Sequence, residues 1–185
     1  MAEQERYHEY MKRRLREESS PVYEKGYPSF EAVNDYPSKW DVRFMDMAQM
    51  ISTWSKDPSS KIGAVVVNDE RRILATGYNG FPRGIEDTEE RLNDRHEKYP
   101  RIIHAEMNVL MNALYNGVTV KGATLYVYGL PVCPDCTKNV IQSGIKRVVI
   151  PTDKTEKGKW EAVWNTESLP MFQEAGVTIT VLNDV

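Results

Sequence analysis

The sequence predicts an α/β fold in which helices cover both faces of a mixed five-stranded sheet, and three patterns lead to this prediction. The first is a stripe of apolar residues at helical spacing between Trp40 and Trp54. The second is a pair of β-rich runs joined by four polar residues, which is typical of an antiparallel hairpin. The third is a regular alternation of helix and strand patterns after residue 103, which indicates parallel strands with crossover helices.

The first half of the predicted domain contains a helix followed by a hairpin. The apolar stripe predicts a core-facing helix that ends within residues 56–60. The β-rich runs cover residues 62–67 and 72–76, and we expect Gly77 to Gly80 to form a turn-rich loop after them, since Asn-Gly suits positive φ. The polar stretch 83–100 has little periodicity, so a loop or an irregular helix at the surface is predicted there.

The second half of the sequence alternates between helix and strand patterns. Helices are expected around residues 104–115 and 134–142, and strands at 123–128 and 147–150. A last helix over 160–175, interrupted or restarted at Pro170, precedes a strand at 177–182. The hairpin should therefore open the sheet in antiparallel fashion, and the remaining strands should be parallel.

Length and composition indicate an ordinary globular protein with an appendage. The chain has 185 residues, of which 41% are hydrophobic and 28% charged, and this composition excludes disorder and collagen. The net charge of -3 disfavours a general nucleic-acid binder. No apolar run approaches the roughly 18 to 20 residues that span a bilayer, so a membrane protein is excluded. No secretory signal is recognisable at the start, and the expected location is the cytoplasm.

The chain divides into two parts at residue 38. Residues 1–38 are dense in charges of both signs and then rich in Pro and Tyr, which predicts an N-terminal arm, and residues 39–185 form the main domain. Tyr7, Tyr10, Met11 and Leu15 recur at near-helical spacing. They indicate either a short amphipathic helix that packs on its own domain or a partner subunit, or a solvated helix.

Two short motifs carry the chemistry. His104 precedes Glu106 by two residues, and Cys133 precedes Cys136 by three at the predicted start of a helix, where both thiols share one face. One imidazole and two thiolates suit zinc, and three protein ligands leave the fourth tetrahedral position for water. A structural site would need a fourth ligand, and only His8 and His96 remain as spare histidines. Because two thiolates offset the charge of zinc, a neighbouring base is needed, and Glu106 is the candidate.

These motifs, an H-x-E followed by a C-x-x-C, resemble the zinc signature of the nucleobase deaminases. From Trp40 to Leu182 the sequence is similar to the cytidine/deoxycytidylate deaminase superfamily and looks most like its deoxycytidylate deaminases. One departure is Val132 directly before Cys133, where the family usually has proline, and here Pro131 stands one residue earlier. The matching segments are 57–66, 77–84, 103–108, 142–146 and 175–177.

The resemblance implies a three-layer cytidine-deaminase-like fold and a hydrolytic reaction. A zinc-activated water would convert dCMP to dUMP and ammonia with Glu106 as the proton shuttle, and the product would supply thymidylate synthesis. The resemblance also implies a homo-oligomer, either a hexamer or a dimer. The partners expected are a small nucleotide substrate and dCTP or dTTP as effectors, with Mg²⁺ accompanying a triphosphate.

The residues expected around the nucleotide follow the same motifs. The resemblance implies that the Asn79 side chain bonds the sugar hydroxyl, and that the loop from Gly77 to Gly84 serves either the substrate or an effector. Because a phosphate needs cations or N–H groups, basic residues near the motifs are candidates for contacting it. The substrate set is Asn79, Ala105, Lys61 and Arg101, and the effector set is Gly77, Tyr78, Gly80 and Arg83.

Three alternative functions stay open at this point. The substrate could be another cytosine nucleotide, dCTP or CMP. The enzyme could instead act on a polynucleotide base, as the deaminases of tRNA adenosine do, although the acidic net charge disfavours this. The third alternative is a zinc-stabilised interaction module without catalytic activity.

Overall fold

The fold is described from a computed structural model that covers residues 38–151 and 159–182. The expected N-terminal arm therefore lies outside the described residues, apart from Ser38. Within the described ranges, no helix combines the length and the apolar character that crossing a bilayer requires.

In the part of the chain that the structure describes, five strands form one sheet in the order β2-β1-β3-β4-β5. The strands are β1 (Gly63–Val67), β2 (Ile73–Tyr78), β3 (Thr124–Tyr128), β4 (Arg147–Pro151) and β5 (Thr178–Leu182). β1 pairs antiparallel with both β2 and β3, whereas β3, β4 and β5 run parallel. The predicted mixed sheet, with an antiparallel hairpin followed by parallel strands, is confirmed.

The helices lie on both faces of this sheet and give three layers. They are α1 (Lys39–Ser52), α2 (Glu89–Asn93), α3 (Arg95–Lys98), α4 (Ala105–Tyr115), α5 (Pro134–Gln142), α6 (Lys159–Val163) and α7 (Leu169–Glu174), with a π-helical turn at Trp164–Ser168 between the last two. The predicted last helix thus exists as three consecutive pieces. Pro170 lies in the first turn of α7, directly after the π-helical turn, and because it has no N–H it cannot donate to a carbonyl of that turn.

The alternation of side chains along β1 explains why two cores form. Ala64 and Val66 point to one face and pack with α4 and α5, whereas Val65 and Val67 point to the other face and pack with α1. All five residues of β1 are buried, as expected for a strand covered on both faces. The apolar stripe of α1 supplies Phe44, Met45, Ala48 and Ile51 to the second core.

Helix α1 begins where the sequence provides a reciprocal cap. The Ser38 hydroxyl accepts hydrogen bonds from the N–H groups of Trp40 and Asp41, and the Ser38 N–H donates to the Asp41 carboxylate at 2.7 Å. This capping box satisfies donors that a helix start leaves without partners.

Two sequence expectations need correction. Gly77 and Tyr78 are not loop residues, because β2 continues through both of them in register with β1. The stretch 83–100 is not wholly a surface segment, because α2 and α3 bury Leu92 and Lys98. The first prediction was wrong because Gly77 and Tyr78 directly precede Asn79-Gly80, a dipeptide typical of turns. In the structure, both residues still pair with β1, and the strand ends only after Tyr78.

Candidate metal centre and nucleotide site

His104 stands at the N-cap of α4 and contacts both cysteines. Its backbone is extended, with φ -69° and ψ 153°, and its side chain makes no capping bond to the helix. The imidazole Nδ1 lies 3.4 Å from the Cys133 sulfur and 3.5 Å from the Cys136 sulfur. The three potential ligand atoms all lie within 4.8 Å of one another. The structure therefore brings together the three side chains that the motif predicted as ligands.

The two cysteines are placed by the start of α5. Cys133 is the N-cap, Pro134 lies in the first turn with its φ already suited to a helix, and Cys136 follows one turn later. The Cys133 sulfur accepts a hydrogen bond from the Cys136 N–H at 3.5 Å. Cys133 is partly exposed, whereas Cys136 is 2% exposed. A helix start thus presents both thiols to the imidazole from one side.

The two thiols and the imidazole shift one another's pKa values. Hydrogen bonds from Cys136 and His104 lower the pKa of Cys133 to about 4. The hydrogen bond with Cys133 raises the pKa of His104 to about 9, and the same thiolate together with burial raises the pKa of Cys136. Thiolate and imidazole form the donor set that zinc prefers, and metal binding would displace the protons that these groups hold. Because three protein ligands converge, the donor set fits a catalytic zinc with an open position.

Val132 does not disturb this arrangement. Its side chain is 1% exposed and belongs to the core on the α4 side of the sheet. The departure from the usual proline therefore places an apolar side chain into the core directly before the first thiol ligand.

Glu106 lies in the first turn of α4 beside the cysteines. It is 4% exposed, and burial raises the pKa of its carboxyl to about 7. Its carboxylate also interacts with the positive charge of His104 and accepts a hydrogen bond from the Cys136 thiol, both of which favour the ionised form. A carboxyl group that titrates near neutral pH can both accept and donate a proton. The geometry thus places an acid–base group next to the candidate metal ligands.

Helix α4 is fixed on β2 by two amides and one glycine. Asn108 and Asn112, one turn apart, donate to the carbonyls of Tyr78 at 2.7 Å and Thr76 at 2.8 Å. Gly77 faces the helix, and a Cβ at this position would lie 2.4 Å from the Val109 nitrogen. Gly77 is therefore required for the close approach of the helix that presents Glu106.

The predicted substrate residues have different surroundings. Asn79 is 5% exposed, and its side chain bonds to the segment between α1 and β1. Ala105 is fully buried in the core, so any contact it makes with a ligand goes through its backbone. Lys61 is exposed, and Arg101 forms an ion pair with Glu97 at 3.2 Å.

The predicted effector residues do not form one cluster. Gly77 is buried against α4, whereas Tyr78 belongs to the α1 side of the sheet and packs edge-on against Trp54. Gly80 pairs with Ile103 in an isolated antiparallel bridge, which adjoins His104. Arg83 donates to the Asn112 side chain and lies over the ring of Tyr115.

Two residues that contact the surroundings of Asn79 were not predicted from the sequence. Lys98 and Asp57 form a buried ion pair with an Nζ to Oδ1 distance of 3.1 Å. Lys98 lies in the polar stretch that shows no periodicity, and its partner is 41 residues away. One indication of this pair was present in the sequence, because Asp57 lies in the segment 57–66 that resembles the family. That resemblance did not identify Lys98 as its partner.

Comparison with known proteins supports this interpretation of the site. The family model of the cytidine and deoxycytidylate deaminase zinc-binding region matches residues 38–152. The deoxycytidylate deaminase of Homo sapiens is 41% identical over 147 residues, which cover 76% of this chain and 78% of that protein. An uncharacterized deaminase in the luxG 3' region of Aliivibrio fischeri is 37% identical over 147 residues, covering 78% of this chain and 95% of that protein.

A solved structure extends the similarity to the fold. The dCMP deaminase from the cyanophage S-TIM5, in complex with dCMP and dUMP, matches with a TM-score of 0.61 and 26% identity over 80% of this chain and 99% of that chain. Its agreement with the five-stranded sheet and flanking helices confirms the predicted fold class. The matched zinc-binding region includes the cluster of one histidine and two cysteines. The chain is therefore a zinc-binding enzyme of the cytidine and deoxycytidylate deaminase family.

Proposed function

We propose that the chain deaminates dCMP by hydrolysis and produces dUMP and ammonia. The observation that carries this proposal is the convergence of His104, Cys133 and Cys136 beside the buried carboxyl of Glu106. The human relative and the phage structure are both dCMP deaminases by name, and they favour a deoxycytidine monophosphate over other cytosine compounds.

Three ligands would hold the metal, and one carboxyl would handle the protons. Bound by His104, Cys133 and Cys136, zinc supplies Lewis acidity that makes a water molecule a better nucleophile. Glu106 accepts one proton from the attacking water and passes it to the pyrimidine ring nitrogen, and then carries the second proton, from the hydroxyl group formed by the attack, to the departing amine. Burial of Glu106 favours the protonated form of its carboxyl, which helps the group to donate a proton as well as to accept one.

The start of α4 also offers a group for orienting the base. The first N–H groups of a helix have no partner inside the helix, and they attract polar ligand atoms. Ala105 is the first residue of α4, and its side chain is buried, so its N–H is the part that a nucleobase oxygen can reach. The Asn79 side chain is proposed to accept a hydrogen bond from the sugar hydroxyl. Lys61 and Arg101 are proposed to contact the phosphate.

The wider role is also part of the proposal. The dUMP formed would supply thymidylate synthesis, and dCTP with Mg²⁺ or dTTP would regulate the enzyme. Tyr78, Gly80 and Arg83 keep some exposure and are proposed to contact such effectors, whereas Gly77 is buried. A homo-oligomer, either a hexamer or a dimer, is proposed for the active form.

A substrate panel tests the proposal. Ammonia release is measured with zinc-loaded protein on dCMP, CMP, dCTP, deoxycytidine, adenosine, single-stranded DNA and tRNA, each with and without dCTP or dTTP. We expect dCMP to give the highest kcat/KM and the triphosphates to change its rate. Failure to convert dCMP under all conditions, together with ammonia release from another compound, would contradict the proposal.

A further inference from the structure

Lys98 is a buried lysine to which the proposed mechanism assigns no role. Its side chain is 6% exposed and lies 3.1 Å from Oδ1 of Asp57, whose side chain is 7% exposed. The Lys98 Nζ also donates to the Ser59 hydroxyl at 3.1 Å. Removing one partner of a buried ion pair leaves an uncompensated charge, which is much more costly than losing an exposed pair. Lys98 therefore holds the segment around Asp57 firmly.

Asp57 organises the segment that leads into β1. Its Oδ1 accepts hydrogen bonds from the N–H of Ser59 at 2.8 Å and of Ser60 at 3.3 Å. Its Oδ2 accepts from the Asn79 amide at 3.5 Å. Both oxygens are thus used, and the positive charge that keeps this carboxylate stable inside the protein comes from Lys98.

The amide of Asn79 is oriented by these contacts. Its Nδ2 donates to the Ser60 carbonyl at 2.8 Å and to Asp57, while its Oδ1 accepts from the Ile62 N–H at 2.8 Å. A side-chain amide has two donor hydrogens and two acceptor lone pairs. Both donors are occupied, and only one lone pair of Oδ1 is left. A flipped amide would place NH₂ against an N–H and oxygen against a carboxylate, so Asn79 presents an acceptor to any ligand.

Lys98 also shapes the backbone that leads to His104. Its carbonyl accepts from the N–H groups of Arg101 at 2.9 Å and Ile102 at 2.8 Å. The next residue, Ile103, exchanges two backbone hydrogen bonds with Gly80 at 3.1 and 2.8 Å. Gly80 follows Asn79 in the chain, so one lysine connects the segment before His104 with the segment that orients Asn79.

We propose that Lys98, acting through Asp57, is a positioning residue that keeps the Asn79 amide oriented to accept a hydrogen bond from the sugar hydroxyl of the nucleotide. This inference rests on the proposed function for the identity of the substrate. The 3' hydroxyl is the only free sugar hydroxyl of dCMP, so it is the group from which the Asn79 Oδ1 would accept a hydrogen bond. A change at Lys98 is therefore expected to affect substrate binding and not metal binding. The candidate zinc ligands contact one another through the His104 Nδ1 and the two cysteine sulfurs, and Lys98 takes no part in these contacts.

The test compares Lys98→Met with Lys121→Met, a matched change at an exposed lysine before β3. For Lys98→Met we expect KM for dCMP to rise about tenfold and kcat to stay within about threefold, as loss of one oriented hydrogen bond implies. Wild-type enzyme should prefer dCMP over 2',3'-dideoxy-CMP about tenfold in kcat/KM, and Lys98→Met should lose this preference. Lys121→Met should retain wild-type values, and zinc content should be unchanged in both variants.

A second variant and a second readout keep the test decisive. If Lys98→Met does not fold, the doubly neutral variant Lys98→Met/Asp57→Asn replaces it, because it leaves no unpaired buried charge. Amide hydrogen exchange measured by NMR should show lost protection at Ile62, Ser59 and Ser60 in the Lys98 variant and not in Lys121→Met.

The outcomes separate this inference from the proposed function. Unchanged KM and unchanged hydroxyl preference in a folded, zinc-loaded Lys98 variant would overturn the inference, as would an equal loss of kcat and zinc. If wild-type protein leaves dCMP unreacted, the proposed function fails, and the exchange data alone decide the positioning role. Wild-type protection in the Lys98 variant would then refute that role.

Discussion

At the scale of single residues, a missing side chain matters as much as the charged ones. Gly77 allows α4 to approach β2 so closely that a Cβ would lie 2.4 Å from the Val109 nitrogen, 2.8 Å from Val109 Cα and 2.9 Å from the Ala105 carbonyl. All three atoms belong to backbone, which cannot move aside as a flexible side chain can. Because α4 begins directly after His104 and carries Glu106, its position sets the distance between the carboxyl and the cysteines.

The change Gly77→Ala is therefore expected to displace α4. We predict a loss of about 1–3 kcal/mol in the free energy of unfolding, typical of overpacking, and a reduced kcat. Denaturant unfolding and dCMP turnover measure the two effects. Gly80→Ala is the matched control for stability, because the nearest atom to a Cβ there is 3.7 Å away. Equal stability of the two variants would show that the helix tolerates the extra methyl group.

At the scale of elements, one carboxylate connects a helix with two strands. Asp41 of α1 accepts hydrogen bonds from the Tyr126 hydroxyl of β3 and the Arg147 guanidinium of β4, each at 2.7 Å. Burial alone would raise the pKa of Asp41, but the bonds from Arg147, the Ser38 N–H and Tyr126 outweigh it and hold this pKa below its usual value. A lowered pKa in the folded state stabilises the protein above the unfolded pKa of about 4, and this stabilisation is lost as the pH falls through the folded pKa.

We predict that Asp41→Asn lowers the free energy of unfolding by about 3 kcal/mol at pH 7, because it removes the negative charge from a buried ion pair with Arg147. The difference from wild type should begin to shrink below about pH 4, where the carboxylate of the unfolded chain becomes protonated, and should disappear as the pH falls through the lower folded pKa of Asp41. Urea unfolding between pH 7 and pH 3 measures this. Glu70→Gln, which breaks the exposed pair with Arg72, is the control and should change stability little. A pH-independent difference for Asp41→Asn would contradict the electrostatic explanation.

The elements also show what the sequence could and could not predict. Residues 134–142 were predicted as a helix with both bounds correct, because Cys133-Pro134 combines a cap with a proline in the first turn. The zinc ligands were predictable because each motif is short and local. The ion pair of Lys98 with Asp57 was not, since its residues are 41 apart and neither belongs to a periodic pattern. The π-helical turn at Trp164–Ser168 was also missed, because Trp160 and Trp164 are four residues apart, as in an ordinary helix.

At the scale of the whole molecule, the sheet brings the parts of the site together. Helix α4 packs on β1 and β2, α5 contacts α4, and both lie on the same face of the sheet. Two helix starts therefore meet, one with His104 and Glu106 and the other with Cys133 and Cys136. The opposite face carries α1, Tyr78 and Tyr128, so the sheet separates the cysteines from the aromatic residues near Trp54.

The central claim is that Glu106 transfers the protons in a deamination that needs the metal cluster. It is tested by measuring zinc content and dCMP turnover of wild-type protein and Glu106→Gln, prepared identically. We expect equal zinc per chain and similar folding, with kcat reduced at least about 100-fold in Glu106→Gln, the loss typical of removing a general acid–base. Turnover at the wild-type rate by zinc-loaded Glu106→Gln would contradict the account.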